Sequence, residues 1–307
     1  MNDGRQRTGS GPCGVGRREF LALSSAAAAA WSAPSAWALP ETDPYYSQIG
    51  LQLWTVRNQL AADIPQTLAA VAKAGYQQVE LMDVAEADKM VPLAKDAGLA
   101  VTSAFINWEI LGRDDAKKVP TMAETLEHAT RHGLKYLVFG YIGKGHREKR
   151  EQLQRIAQRC NVAAEQCRQA GIELCYHNHS FEFQTLDGNK TGYDVFIEEF
   201  DPQLMKFEVD VFWVACGGWD PVETLQRLKG RVAQVHLKDL LPGTARNFDE
   251  ATVPAEAFKE LGAGNLNLPA ILRTSHDIGV AQCHVEQDQS PDPLKSVAES
   301  HEYLRRA

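Results

Sequence analysis

The chain has 307 residues, 44% hydrophobic and 23% charged, with a formal net charge of −8. That length suits one large domain or two small ones. The acidic balance, without any run of Lys and Arg, argues against a nucleic-acid or anionic-membrane partner.

Residues 1–38 have the layout of an export signal. Arg17-Arg18-Glu19-Phe20-Leu21 is a twin-arginine pattern, an Ala-rich apolar stretch follows, and Ala36-Trp37-Ala38 has the small-x-small form of a cleavage site. The apolar stretch is too short for a confident bilayer span, and no later stretch is apolar enough, so no membrane partner is expected. The expected mature chain, residues 39–307, is a single domain delivered folded to the periplasm. It is more acidic than the whole, because Arg5, Arg7, Arg17 and Arg18 leave with only Asp3 and Glu19. Cys13 leaves too, and Cys160, Cys167, Cys175, Cys216 and Cys283 form an odd set without framework spacing, unlike a disulfide-stapled fold.

From residue 49 onward, short apolar runs alternate with amphipathic stretches. The predicted strands are Ile49–Trp54, Gln77–Met82, Ala100–Phe105, Tyr136–Phe139, Ile172–His177, Lys206–Asp210, Ala233–Leu237 and Ala281–Glu286. Predicted helices cover Ile64–Ala74, Ala87–Ala97, Thr121–His132 and Arg147–Ala170, each followed by a glycine stop. Asp63, Asp194, Asp220-Pro221 and Pro293 mark helix starts. Eight strands alternating with helices predict an α/β fold with a parallel sheet, closed as a (β/α)₈ TIM barrel, which takes about 250 residues and keeps its active site at the C-terminal mouth. No strand leads into G-x-G-x-x-G or a Walker loop, so a nucleotide cofactor has no support. The longest irregular segment, Leu240–Thr252, is expected to drape over the mouth.

Four of these strands end in metal-ligand residue types: His177, Asp210, His236 and Glu286. In a parallel barrel those ends converge. Imidazole nitrogen with carboxylate oxygen suits one divalent metal, Mn²⁺, Co²⁺ or Zn²⁺ ahead of Mg²⁺. Residues two apart share a face, which pairs His177 with His179, His236 with Lys238, and Glu286 with Asp288. Lys238 beside a cation is expected to lose proton affinity and approach the range of a general base, with His179 as the other candidate; the alternative is a lysine paired with Asp239 or another carboxylate. Glu80 and Asn107 are candidates for sugar hydroxyls or for loop amides. Trp54 and Trp213 are candidates for stacking on a sugar or for packing the barrel top. Glu182 is a candidate for orienting a histidine from behind. His128 and His132, on an outer helix, are expected at the surface.

The segments Ile49-Gly-Leu-Gln-Leu-Trp-Thr-Val, Gly75-Tyr-Gln-Gln-Val-Glu-Leu, His177-Asn-His, Asp210-Val-Phe-Trp, His236-Leu-Lys-Asp and Val285-Glu-Gln-Asp together resemble the xylose isomerase-like sugar isomerase/epimerase superfamily. That superfamily includes tagatose 3-epimerase-like enzymes and inosose dehydratase, and the whole pattern looks like its exported, twin-arginine members, some of which act as lyases on 3-keto-glycosides. The resemblance implies a metal at the barrel mouth, a small sugar or glycoside as partner, and dimers in some members. Many members carry Glu-Asn-His where this chain has His177-Asn178-His179, and often a histidine where it has Trp213. Lys238 matches the His-x-Lys-Asp of dehydratase-like relatives. Proton abstraction next to a carbonyl, through a metal-stabilised enediolate, is the expected chemistry. Isomerisation or epimerisation and β-elimination are its two outcomes. A barrel nuclease is disfavoured by charge, and a catalytically silent carbohydrate-binding barrel is the non-enzymatic alternative.

Overall fold

In the computed structural model, which describes residues 49–113 and 119–306, eight parallel strands close into a barrel. The expected export leader, residues 1–38, lies outside the described residues. The barrel strands are β1 (Gly50–Gln52), β2 (Gln78–Leu81), β3 (Ala100–Phe105), β4 (Tyr136–Phe139), β5 (Glu173–His177), β6 (Met205–Asp210), β7 (Val232–Leu237) and, after two short strands described below, β10 (Gln282–Val285). Each pairs in parallel with the next, and β10 returns to β1. The predicted strands all appear, although the first ends early: a 3-10 turn over Leu53–Val56 replaces the expected extension to Trp54.

Helices Ile64–Ala74, Ala87–Asp96, Met122–Arg131 and Arg150–Gln169 occupy the predicted stretches. Local chemistry sets their limits. Asp63 accepts from Gln66 N at 2.9 Å as N-cap, and Gly75 ends the same helix at φ 115°, a value costly for residues with a Cβ. Asp194 marks a start differently from expectation: Thr191 is the cap, and Asp194 closes a capping box three residues in.

Strand alternation sorts the barrel into two layers. Outward residues such as Leu51, Val79, Leu137, Leu174, Val209, Val235 and Val285 are buried in the main apolar core beneath the helices. Beside a small apolar cluster that includes Val138 and Cys175, much of the inward layer is polar: Gln52, Gln78, Glu80, Ser103, Glu208, Gln234, Gln282 and His284 are all buried. Burial of such groups requires partners. Gln52 and Ser103 donate to Glu80 at 2.7 and 2.6 Å, and Gln234 donates to Glu208 at 2.9 Å and to Ser103 at 3.1 Å.

The segment after β7 covers the mouth as expected. It begins with β8 (Asp239–Leu240), paired antiparallel with β9 (Phe258–Lys259). The Asp239 carboxylate accepts from the amides of Leu240, Gly262, Gly264 and Leu266 at 2.9–3.0 Å. Gly264 permits that approach, since a Cβ there would sit 2.2 Å from Asp239 Oδ1. All five cysteines from Cys160 to Cys283 are free and buried.

Candidate active site at the barrel mouth

Neighbouring strand ends bring the four expected ligand residues to one place. Cα pairing sets Asp210 against His236 across β6 and β7, and His177 against Glu208 across β5 and β6. His177 Nε2 and His236 Nδ1 each lie 3.9 Å from Asp210 Oδ2, and His236 Nδ1 lies 2.9 Å from Glu286 Oε2. Donor atoms of His177, Asp210 and His236 all lie within 4.8 Å of one another, a spacing that could hold a cation, and Glu286 adjoins them through His236. His177, Asp210 and His236 are all buried, while His177 and Glu286 also line a cavity of about 700 Å³ that opens at the mouth.

The layer below orients the two imidazoles. Glu208 Oε1 lies 3.1 Å from His177 Nδ1 and 3.0 Å from His236 Nε2, and Glu80 Oε2 lies 2.7 Å from His236 Nε2. Each ring therefore turns one nitrogen to a buried carboxyl group and the other to Asp210, with Glu286 beside the His236 ring as well. A carboxylate behind a ligating histidine fixes its tautomer and raises its basicity. The donor set and its backing thus fit a divalent cation. Burial raises the Glu208 carboxyl well above its usual range, and the charge of Glu80 adds to this. Burial acts on Glu80 too, but His284 and His236 outweigh it and hold Glu80 down at about 2. His284 projects into the same layer with Nδ1 3.8 Å from Glu80 Oε1, and burial holds it neutral, with a pKa of about 4. Glu80, Glu208, His236 and His284 also offer donor atoms within 4.8 Å of one another; of this group and that of His177, Asp210 and His236, only His177 lines the cavity.

One sequence expectation is corrected here: Glu80, a candidate for sugar hydroxyls or loop amides, serves neither, being fully buried away from the cavity and committed to Gln52, Ser103 and His236. Lys238 takes its expected alternative, pairing with carboxylates. Its Nζ lies 2.7 Å from Glu286, 3.0 Å from Asp210 and 3.0 Å from Asp288. Burial would lower its pKa, but those three carboxylates prevail and raise it, so the side chain is a fixed ammonium. Asp239, once a candidate partner, is occupied by backbone amides instead.

Asp288 faces the cavity beside Lys238, and burial lifts its carboxyl to about 7. His179 also lines the cavity, its ring 5.5 Å from Trp213; burial and then the Lys238 charge keep it neutral down to about pH 3. Glu182 supports His179 through the backbone, not the ring: it accepts from His179 N at 3.0 Å and from the Tyr176 hydroxyl at 2.6 Å. Trp213 is buried against the cavity, and Trp54 stands exposed at its lip. Asn107 lines the wall while its Oδ1 caps Glu109 N at 3.0 Å. His128 and His132 lie away on the outer helix, around Asp88. Glu208 and His284 were missed by the sequence reading, yet each sits two residues before a proposed ligand; same-face spacing applied backwards finds both. Met82, Trp108, Tyr141 and Glu250 also line the cavity from beyond the strand ends, and the sequence reading named none of them for the site.

Comparison with known proteins fits this architecture. An inosose dehydratase of Mesomycoplasma hyopneumoniae (strain J) is 27% identical over 284 residues, 82% of this chain and 93% of that protein. A sugar phosphate isomerase/epimerase structure from Parabacteroides distasonis superposes with a TM-score of 0.68 at 24% identity, covering 84% of this chain and 93% of that one. A 3-keto-D-glucoside 4-epimerase from E. coli shares the fold with a TM-score of 0.61 at 14% identity, covering 85% and 99%. Residues 68–307 match the family described as xylose isomerase-like TIM barrel, and with the closed eight-stranded barrel observed, the chain belongs to that family.

Proposed function

We propose that this protein is a divalent-metal-dependent enzyme of the sugar isomerase/epimerase type, which removes the proton next to a carbonyl of an unphosphorylated keto-sugar or 3-keto-glycoside. The convergence of His177, Asp210, His236 and Glu286 under an open cavity, with a Lys238–Asp288 pair at its edge, carries this reading. A divalent cation held by those four residues (Mn²⁺, Co²⁺ or Zn²⁺ by donor type) supplies Lewis-acid polarisation of a substrate carbonyl. Asp288, lifted to about 7, is matched to taking up and returning a proton near neutral pH. The Lys238 ammonium stabilises negative charge developing on substrate oxygen. His179, neutral and partly buried at the cavity wall, accepts a hydrogen bond from a hydroxyl or donates one to it.

The charge of the wall supports an unphosphorylated substrate. Among the described residues lining the cavity, Lys238 is the single lysine or arginine, and it is already shared by three carboxylates; Asp83, Glu109 and Glu250 add further acidic groups. Among the described lining residues, a phosphate dianion would meet mostly carboxylates and one ammonium already shared by three of them. An exported enzyme, as residues 1–38 suggest, would work on such unphosphorylated sugars in the periplasm.

β-Elimination from the same site is the second reading. His177 stands where a glutamate would supply the second carboxylate of a two-base proton transfer, which favours loss of a leaving group over return of the proton. The test is incubation of metal-loaded protein with a 3-keto-glucoside in D₂O. Deuterium at the α-carbon supports isomerase or epimerase chemistry, and released aglycone supports elimination. Neither product with any of the four metals would sink both.

A further inference from the structure

We infer that the lip of this cavity is a binding subsite for a planar apolar aglycone, so that the substrate is an aryl glycoside in preference to a free sugar or an oligosaccharide. The inference rests on the keto-glycoside reading of the site and specifies its leaving side. Four large hydrophobic side chains stand exposed among the described residues, and three of them, Trp54 (46%), Met82 (36%) and Tyr141 (37%), line this one cavity. Exposed apolar groups gathered at one place mark an interaction site, where scattered ones would not.

These groups are held in position. The Arg57 guanidinium lies 4.4 Å over the Trp54 ring and is anchored to Trp54 O at 2.7 Å and Asp288 O at 2.9 Å. Tyr141 is braced edge-on by Trp108 at 5.8 Å. Trp108 itself is wedged between two glycines: a Cβ on Gly112 or Gly143 would fall 2.5 or 2.6 Å from its ring. Rigid aromatic surfaces bind at low entropic cost, and Met82 adds an adaptable neighbour.

Polar groups of the same rim are partly engaged: Asp83 Oδ1 accepts from Ala85 N at 2.9 Å, Asn107 Oδ1 accepts from Glu109 N at 3.0 Å, and Glu250 Oε1 pairs with Arg147 at 2.7 Å. The exposed apolar faces of Trp54, Tyr141 and Met82 beside them suit an aryl group. Space agrees. A cavity of about 700 Å³ holds roughly two dozen water volumes of ~30 Å³, and a hexose of about a dozen non-hydrogen atoms fills no more than half of it.

The test uses unreactive glycosides, so that binding is read apart from turnover. Phenyl and methyl glucosides, as each anomer, and cellobiose are titrated into the metal-loaded protein by calorimetry. The phenyl glucoside of one anomer is expected to bind about tenfold tighter than its methyl counterpart, and cellobiose no tighter than methyl glucoside. Trp54→Ala and Tyr141→Ala are each expected to weaken phenyl glucoside about two- to tenfold, the worth of one aromatic contact, with Trp54→Phe retaining most of the affinity. Equal phenyl and methyl affinities, tightest binding by cellobiose, or no glycoside binding would each overturn the inference. Phenyl preference without any reaction of a 3-keto-glucoside refutes the proposed chemistry and leaves the subsite standing; reaction without phenyl preference does the reverse.

Discussion

Glu208→Gln tests whether the barrel interior prepares the two histidines for a metal. One Glu208 oxygen lies 3.1 Å from His177 Nδ1 and 3.0 Å from His236 Nε2, so a single substitution weakens the backing of both. Loss of such a partner lowers metal affinity about 10–100-fold, or about 1.4–2.7 kcal/mol. At a metal concentration 100 times the wild-type Kd, binding stabilises the fold by about 2.7 kcal/mol; the variant would keep about 1.4 to 0.4 kcal/mol of that. For a domain of this size the metal-induced rise in Tm should shrink by about 3–9 °C. Competition with a chromophoric chelator gives the affinity, and thermal melts with and without metal give the shift. Glu80→Gln, which backs only His236, should have the smaller effect. Unchanged metal affinity in Glu208→Gln would refute the reasoning, because the histidines would then need no carboxylate behind them.

Lys238→Met removes the cation shared by Asp210, Glu286 and Asp288. Without metal it should lower stability by about 3–5 kcal/mol, the cost of breaking a buried ion pair, while the metal-induced rise in Tm should grow; an unchanged melt of the metal-free protein would contradict the ion-pair geometry. In the same range as Asp288, Glu182 adds to the pH dependence of stability. Burial raises its carboxyl from 4.5 to about 7 in the folded chain, so the folded state holds this proton more tightly. Its contribution is fully present below pH 4.5 and is lost as pH rises through about 7, a change of about 3 kcal/mol. Glu182→Gln should flatten the pH 5 to pH 8 difference in urea-unfolding free energy; an unaltered difference would place that dependence elsewhere. Asp239→Ala strips the acceptor from the amides of Leu240, Gly262, Gly264 and Leu266, so the 240–266 segment should become the first site of proteolytic nicking, read by mass spectrometry.

Much of the fold was legible because its signals are short-range. Asp63 as a cap, Gly75 as a stop and the apolar runs of the strands all act within a few residues. The gathering of His177, Asp210, His236 and Glu286 was legible as well, since parallel strands closing a barrel must bring their ends together. The depth of a side chain within that barrel was not. Glu80 ends a strand much as Glu286 does, but β2 and β3 slip register between Val79 and Glu80, and Glu80 is drawn to Ser103 below the cavity.

The amino-acid order by itself determined the alternation of strands and helices, the closure to eight strands and the mouth at which polar residues meet, since these follow from periodicity and capping. Only the tertiary structure decided the sign of the Lys238 shift and the double use of Glu208. Lys238 and Asp288 are 50 residues apart in sequence and 3.0 Å apart in space. Proton affinity depends on the distances between charges in a dry interior, which no local pattern encodes.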